Sequence, residues 1–191
     1  MAPRDEIAHG IDERDLLVEA LGEVRWGGTA TIAFSRYLGL DIMDWFGTPA
    51  VRITRRNVEV EQVVDGDITT RTWHTPAGDL REVIRVCRDP SGAVSSNWIE
   101  HPVKGPADLE ALAAIHEDEL IEPDQAGVDR TRERAELIGS DGIVLGTMAG
   151  TPLGMMYRVY SGVATLAYLW ADARSGLLDC LGVMEANYLR R

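Results

Sequence analysis

Cysteine is scarce. Cys87 and Cys180 are the two in 191 residues, far apart and in no spacing that resembles a metal-binding pair. That excludes a disulfide framework and predicts two reduced, packed thiols in a cytoplasmic protein. Basic residues are also few: 19 Lys and Arg stand against 31 Asp and Glu, a formal charge of −12. Such a surface repels nucleic acid and anionic lipid, so neither is an expected partner. A long apolar run is missing as well. The longest uncharged stretch, Gly142 to Tyr157, is interrupted by glycines and Pro152, and it falls short of the roughly 20 residues that span a bilayer. Met1 to Gly22 is charged throughout, so no secretory signal is expected. There is no internal repeat, P-loop, GxGxxG or Ser-His-Asp arrangement.

What is present is the composition of an ordinary globular protein, 45% hydrophobic and 26% charged, long enough for one substantial core. One domain is expected over residues 1–191. It divides into a helical lead-in (1–50), a β arm (51–104), and helices with one strand (105–191). Asp12 suits the cap of a helix carrying Leu16, Leu17, Ala20 and Leu21. A second helix is predicted from about Thr29 to Leu40, with Ile42, Trp45 and Phe46 adding a further turn and the two aromatics in the core. From Val51 the period becomes alternating through Val51, Ile53, Val58 and Val60. Asp65-Gly66 signals a hairpin, and Thr75-Pro76-Ala77-Gly78 a second reversal of type I. The result is an antiparallel meander of about three strands, with Asn97 to Val103 as a further extended piece. Pro106 then opens a helix with Leu109, Leu112, Ala113 and His116 on one face, where His116 reads as a packed or rim residue. Pro123 to Gly139 is a second, mostly charged helix with Val128, Ala135 and Ile138 inside. Beyond Gly162 the spacing of Leu166, Leu169 and Trp170, then Leu177, Leu181, Met184 and Tyr188, is helical.

The stretch from Gly142 to Gly162 joins these parts. Gly142 to Leu145 reads as a short buried strand, followed by a Gly- and Pro-punctuated turn and a helix with Leu153, Tyr157 and Tyr160. In strand–loop–helix units, ligands bind at the loop leaving the carboxyl end of the strand, which makes Thr147 and Met148 positional candidates for pocket lining. Arg158 is a candidate for gripping a carboxylate or phosphate by two parallel hydrogen bonds. His74, Cys87 and His101 all fall in the β arm, but their spacing fits no zinc template, and they read as polar strand residues.

Three segments, in order, carry a resemblance. They are Thr75-Pro76-Ala77-Gly78-Asp79-Leu80; His101-Pro102-Val103-Lys104-Gly105-Pro106-Ala107-Asp108-Leu109; and Ala149-Gly150-Thr151-Pro152 followed by Gly162. They are similar to the TP-x-G-x-L turn, the P-V/I-K entry to a D-L helix, and the AG-x-P loop of the uroporphyrinogen decarboxylase-like superfamily. That superfamily includes the decarboxylases and the corrinoid-dependent methyltransferases. The resemblance covers roughly residues 40 to 191.

The resemblance implies an α/β fold, a partial TIM (β/α)8-type barrel with the active site at the carboxyl mouth of its strands. Thr147, Met148, Ala149, Gly150 and Thr151 would line that mouth, with Tyr157 and Arg158 on the helix that follows. No Arg-rich RQAGR-type loop of the decarboxylases is present. The tyrosine those enzymes place after AG-x-P falls on Arg158, with Tyr157 one position, about 100°, away. The resemblance therefore points to the methyltransferase branch or a related tetrapyrrole-handling enzyme, acting on a small molecule or a corrinoid protein. The zinc ligands of that branch, a His-x-Cys pair and a later Cys, lie in the second half of its barrel. This chain by itself is thus expected to bind no cofactor, corrinoid and zinc belonging to the complete enzyme. It is read as an N-terminal portion that associates with a complementary C-terminal chain or with itself, or else as a non-catalytic interaction subunit.

Overall fold

The computed structural model describes residues 29–44, 47–88, 94–146 and 150–190. In chain order the elements are α1 (Thr29–Leu38), β1 (Ile42–Asp44), β2 (Val51–Thr54), β3 (Glu59–Asp65), β4 (Ile68–Thr75), β5 (Gly78–Arg88), β6 (Val94–Glu100), α2 (Asp108–Glu117), β7 (Leu120–Pro123), α3 (Gln125–Ile138), a 3-10 turn (Gly139–Asp141), β8 (Gly142–Val144), α4 (Pro152–Met155), a π-helical turn (Met156–Tyr160), α5 (Gly162–Asp172) and α6 (Arg174–Tyr188). The expected lead-in helix at Asp12 to Leu21 and the aromatic pair Trp45 and Phe46 lie outside the described residues.

The chain divides into two compact units, one of residues 1–51 and 123–148, the other of residues 52–122 and 149–191. In the first, β1 and β8 pair in parallel, with Ile42 opposite Gly142 and Asp44 opposite Val144. Gly142 is required there, because a Cβ would meet the Ile42 carbonyl oxygen at 2.0 Å. Ile32, Ile42 and Ile138 form a small core with Val144 against it. Arg36 extends from α1 to the carbonyls of Leu137 and Ile138 at 2.8 and 3.0 Å and to Asp141 at 2.7 Å. It thereby supplies donors to the carboxyl end of α3, which has no partners of its own for them. Buried Asp44 forms an ion pair with Arg134.

The second unit is built on a four-stranded antiparallel sheet of order β3-β4-β5-β6. Asp65-Gly66 makes the first hairpin, with Gly66 at φ 59°. The reversal at Thr75 to Gly78 follows, where Thr75 Oγ1 donates to the Gly78 carbonyl at 2.7 Å and accepts from the Ala77 N–H at 3.1 Å. Helix α2 packs on β4 and β5 and on α6. Leu80, Val103, Leu109, Leu112, Met156, Leu169, Leu177, Cys180 and Met184 close the core between them. Asp108 takes the N–H groups of Lys104 and Gly105 at 2.7 and 3.1 Å, which fixes the entry to α2. At its other end Asp118 takes the N–H groups of Arg56, Asn57 and Val58 and fixes the start of β3.

Several expectations are corrected. The partial barrel is not formed: the described strands make an antiparallel meander and short pairs, with no alternation of parallel strands and helices. The reason is local. Parallel neighbours need a long crossover between them, whereas β3, β4 and β5 are joined by tight hairpins, and hairpins make antiparallel sheets. The parallel pair β1 with β8 is three residues long. Ile42 to Asp44 is a strand rather than a helical turn, and the further extended piece is the fourth strand of the meander, at Val94–Glu100 rather than Asn97 to Val103. Strand β8 is not buried, since Ile143 is 58% exposed. Ala135 is exposed on α3, where Gly127 and Ile138 are the buried residues. No helix among the described residues is long and apolar enough to cross a membrane.

Candidate ligand-binding site

In a strand, alternate side chains share a face. The register of the second unit sets two rows side by side on the face that α2 covers: Val60, Trp73 and Leu80, then Gln62, Arg71 and Glu82. The first row is apolar. The second is a polar ladder across three strands, in which Arg71 Nη1 donates to Glu82 Oε1 at 2.7 Å, and its Nε and Nη2 to Gln62 Oε1 at 3.2 and 3.1 Å. Glu82, 1% exposed, takes its other hydrogen bond from Trp98 Nε1 at 3.1 Å. The Arg71 guanidinium also lies over the Trp73 ring, 5.5 Å from its centre.

Between this face, α2 and the π-helical turn is a cavity of about 330 Å³, at the lower end of the range of small-molecule sites, about 300–1,000 Å³. Leu80, Leu112, Ile115 and Val159 are its apolar lining, Trp73 and Tyr160 its aromatic lining, and Arg55, Arg71 and Glu82 its polar groups. The π-helical turn, a geometry found often at functional sites, brings Val159 and Tyr160 to the cavity.

Arg55 donates through Nη2 to Glu119 Oε1 at 2.5 Å and through Nε to the Ile115 carbonyl at 3.4 Å. Glu119 Oε2 accepts from Asn187 at 3.3 Å, and His116 Nδ1 lies 3.4 Å from Oε1. Burial opposes ionisation of Glu119, but His116 and then Arg55 outweigh it and hold the carboxyl at about 2. At 3.4 Å the His116 contact is an ion-pair separation without a hydrogen-bond angle, and both ring nitrogens of this buried side chain lack a hydrogen-bond partner. Its ring meets Tyr160 edge-on, centres 5.6 Å apart.

The arrangement is one-sided. Both oxygens of Glu82 and of Glu119 already accept hydrogen bonds. A guanidinium carries five N–H donors. Arg71 directs three of them at Gln62 and Glu82, and Arg55 two at Glu119 and Ile115. The cavity therefore offers donors on an apolar, aromatic floor.

The residues singled out by sequence lie elsewhere. Thr147, Met148 and Ala149 are outside the described residues. Gly150 is half-buried, and Thr151 caps α4 by accepting the Gly154 N–H at 3.3 Å. Tyr157 and Arg158 are exposed, and the two residues after them line the cavity instead. His74 sits between Asp79 at 3.0 Å and Glu61 at 3.8 Å. His101 contacts Val159, and Cys87 pairs with Ser95, so these three do not converge. Among the described residues no three His, Cys, Asp or Glu side chains are arranged to hold a metal ion, and no metal step is assigned to them. Arg71 and Glu82 escaped the sequence reading, although strand alternation puts both charges on the same face as Trp73 and Leu80. Comparison with family models, with curated proteins and with solved structures finds no match to the chain.

Proposed function

We propose that the chain binds an organic acid with an aromatic or other apolar body, as the ligand-binding part of a uroporphyrinogen decarboxylase-like enzyme. The observation that carries this reading is the pair of guanidinium groups, with N–H donors to spare, in a cavity floored by Trp73, Leu80 and Leu112. The motif segments support it too: Leu80 and Pro102, which line the cavity, belong to two of them, and Gly162 of the third follows Tyr160 closely. A cavity of this size accommodates one ring and an acidic arm. A tetrapyrrole or corrinoid would enter by one such edge, and the reacting groups for decarboxylation or methyl transfer would come from a second chain.

Titration with 3-phenylpropionate and with the neutral 3-phenylpropanol, followed by calorimetry, tests the reading. A charge-assisted hydrogen bond contributes about 1.5–3 kcal/mol, so the acid should bind at least about tenfold more tightly than the alcohol. Arg55→Gln should remove most of that difference. Equal affinities, or no binding of either, would overturn the proposal.

A second reading, a subunit completed by another chain, is favoured by α5. This helix carries no charge before Asp172, yet Leu169 is its one buried residue. Val163 is 72% exposed, Tyr168 71% and Trp170 48%. A helix apolar on all sides belongs in an interior. Ala164, Ala167 and Ala171 on its exposed surface admit close approach of a helix from a complementary chain. Light scattering after size exclusion, with and without the product of the adjacent gene, decides it: a heteromer supports this reading, and a stable monomer in both cases removes it.

A further inference from the structure

We infer that His101 is the positioning residue of the cavity, holding two of its walls at once; the inference rests on the ligand-binding reading above. His101 follows directly on β6. Its Nδ1 lies 2.8 Å from the carbonyl oxygen of Val159. A carbonyl only accepts, so Nδ1 carries the hydrogen. That bond ties the end of the meander to the π-helical turn whose Val159 and Tyr160 form one wall. A second tie, from the Val103 N–H to the Tyr160 carbonyl at 2.8 Å, leaves the turn little freedom.

The other wall is reached through the ring. His101 stacks on Trp98, planes 4° apart and centres 5.7 Å apart. Trp98 donates to Glu82, and Glu82 accepts from Arg71, whose guanidinium faces the cavity. The imidazole thus acts by its edge on the π-helical turn and by its face on the arginine. Gly162 keeps the place open: it adopts φ +68°, and a Cβ there would stand 3.0 Å from His101 Nε2. Neither a larger residue at 162 nor a differently shaped one at 101 reproduces the arrangement.

Two variants separate the two actions. His101→Phe keeps a ring to stack on Trp98 and removes the donor; His101→Asn keeps a donor near Nδ1 and removes the stack. Each is measured for 3-phenylpropionate affinity by calorimetry and for the Arg71 Nε–H resonance by NMR. Both variants should lose about tenfold in affinity. The Arg71 resonance should stay in place in His101→Phe and move in His101→Asn, a pattern that general loosening of the fold would not give. Wild-type affinity in His101→Phe overturns the hold on the π-helical turn, and an unmoved Arg71 resonance in His101→Asn overturns the hold on the arginine. If the wild-type protein binds no probe, the ligand-binding reading fails, and the resonance still reports whether His101 positions Arg71.

Discussion

Arg71 and Glu82 stand opposite each other on β4 and β5, with Nη1 and Oε1 2.7 Å apart and the carboxylate almost wholly buried. The pair joins folding to the cavity, because the carboxylate that makes a charged arginine tolerable on a core-facing sheet surface also sets the direction of its fork. Arg71→Met would leave Glu82 buried with Trp98 as its remaining donor. Breaking a buried pair costs about 3–5 kcal/mol. Since the Arg71 side chain is 35% exposed, about 2–3 kcal/mol is expected here. Urea unfolding should show that loss in Arg71→Met and recover much of it when Glu82→Met is added, since two apolar side chains leave no unpaired charge.

Acid should weaken the second unit through Glu119. Its carboxyl is held at about 2 against an ordinary 4.5. The unfolded chain therefore takes up a proton before the folded one does. The stabilisation is complete above about pH 4.5 and is lost as the pH falls toward 2, on the order of 3 kcal/mol in all. Asp118 shifts the same way: burial opposes its ionisation, and the N–H groups of Asn57, Arg56 and Val58 outweigh that. The contribution of Glu119 is therefore read by difference. Unfolding midpoints between pH 7 and pH 3 should fall less steeply in Glu119→Gln than in the wild type, and parallel slopes would contradict the assignment.

Two glycines should respond oppositely to alanine. At Gly162, φ +68° and the nearby His101 ring make any Cβ strained, and Gly162→Ala should cost about 1–2 kcal/mol. Gly182 lies exposed in the middle of α6 with open space where a Cβ would go, so Gly182→Ala should add about 0.5–1 kcal/mol. Thermal melts of the two variants read out both signs.

The two thiols should differ sharply in reactivity. Burial pushes Cys180 up to about 12, which leaves almost no thiolate at neutral pH, whereas Cys87 is half-buried at the sheet. A disulfide reagent should titrate one thiol in the native protein and the second after denaturation. Two fast thiols would show that the core packed around α6 does not cover Cys180.

Local signals were legible where a few neighbouring residues decide the geometry. Asp65-Gly66 and Thr75 to Gly78 turn the chain where their residue types require it, and alternation from Val58 onward marks the meander. Helix α2 follows from the spacing of Leu109, Leu112 and His116, all buried on one face. Longer-range features were not legible. Ile42 to Asp44 extends a helical pattern in sequence, yet it is a strand because Gly142 to Val144, a hundred residues later, pairs with it. The barrel expected from short motifs failed for the same reason, since such motifs describe turns and helix entries and not which strands become neighbours.

By itself, then, the sequence determined the turns, the periodicities and the acidic surface, because these depend on backbone preferences and side-chain chemistry within a few residues. Tertiary structure decided which face of the meander α2 covers, and so turned Arg71, Trp73 and Glu82 from strand residues into the lining of a cavity. It also decided that Val159 and Tyr160, rather than Tyr157 and Arg158, reach that cavity, since the π-helical turn held at its end by His101 and Val103 sets which side chains point inward.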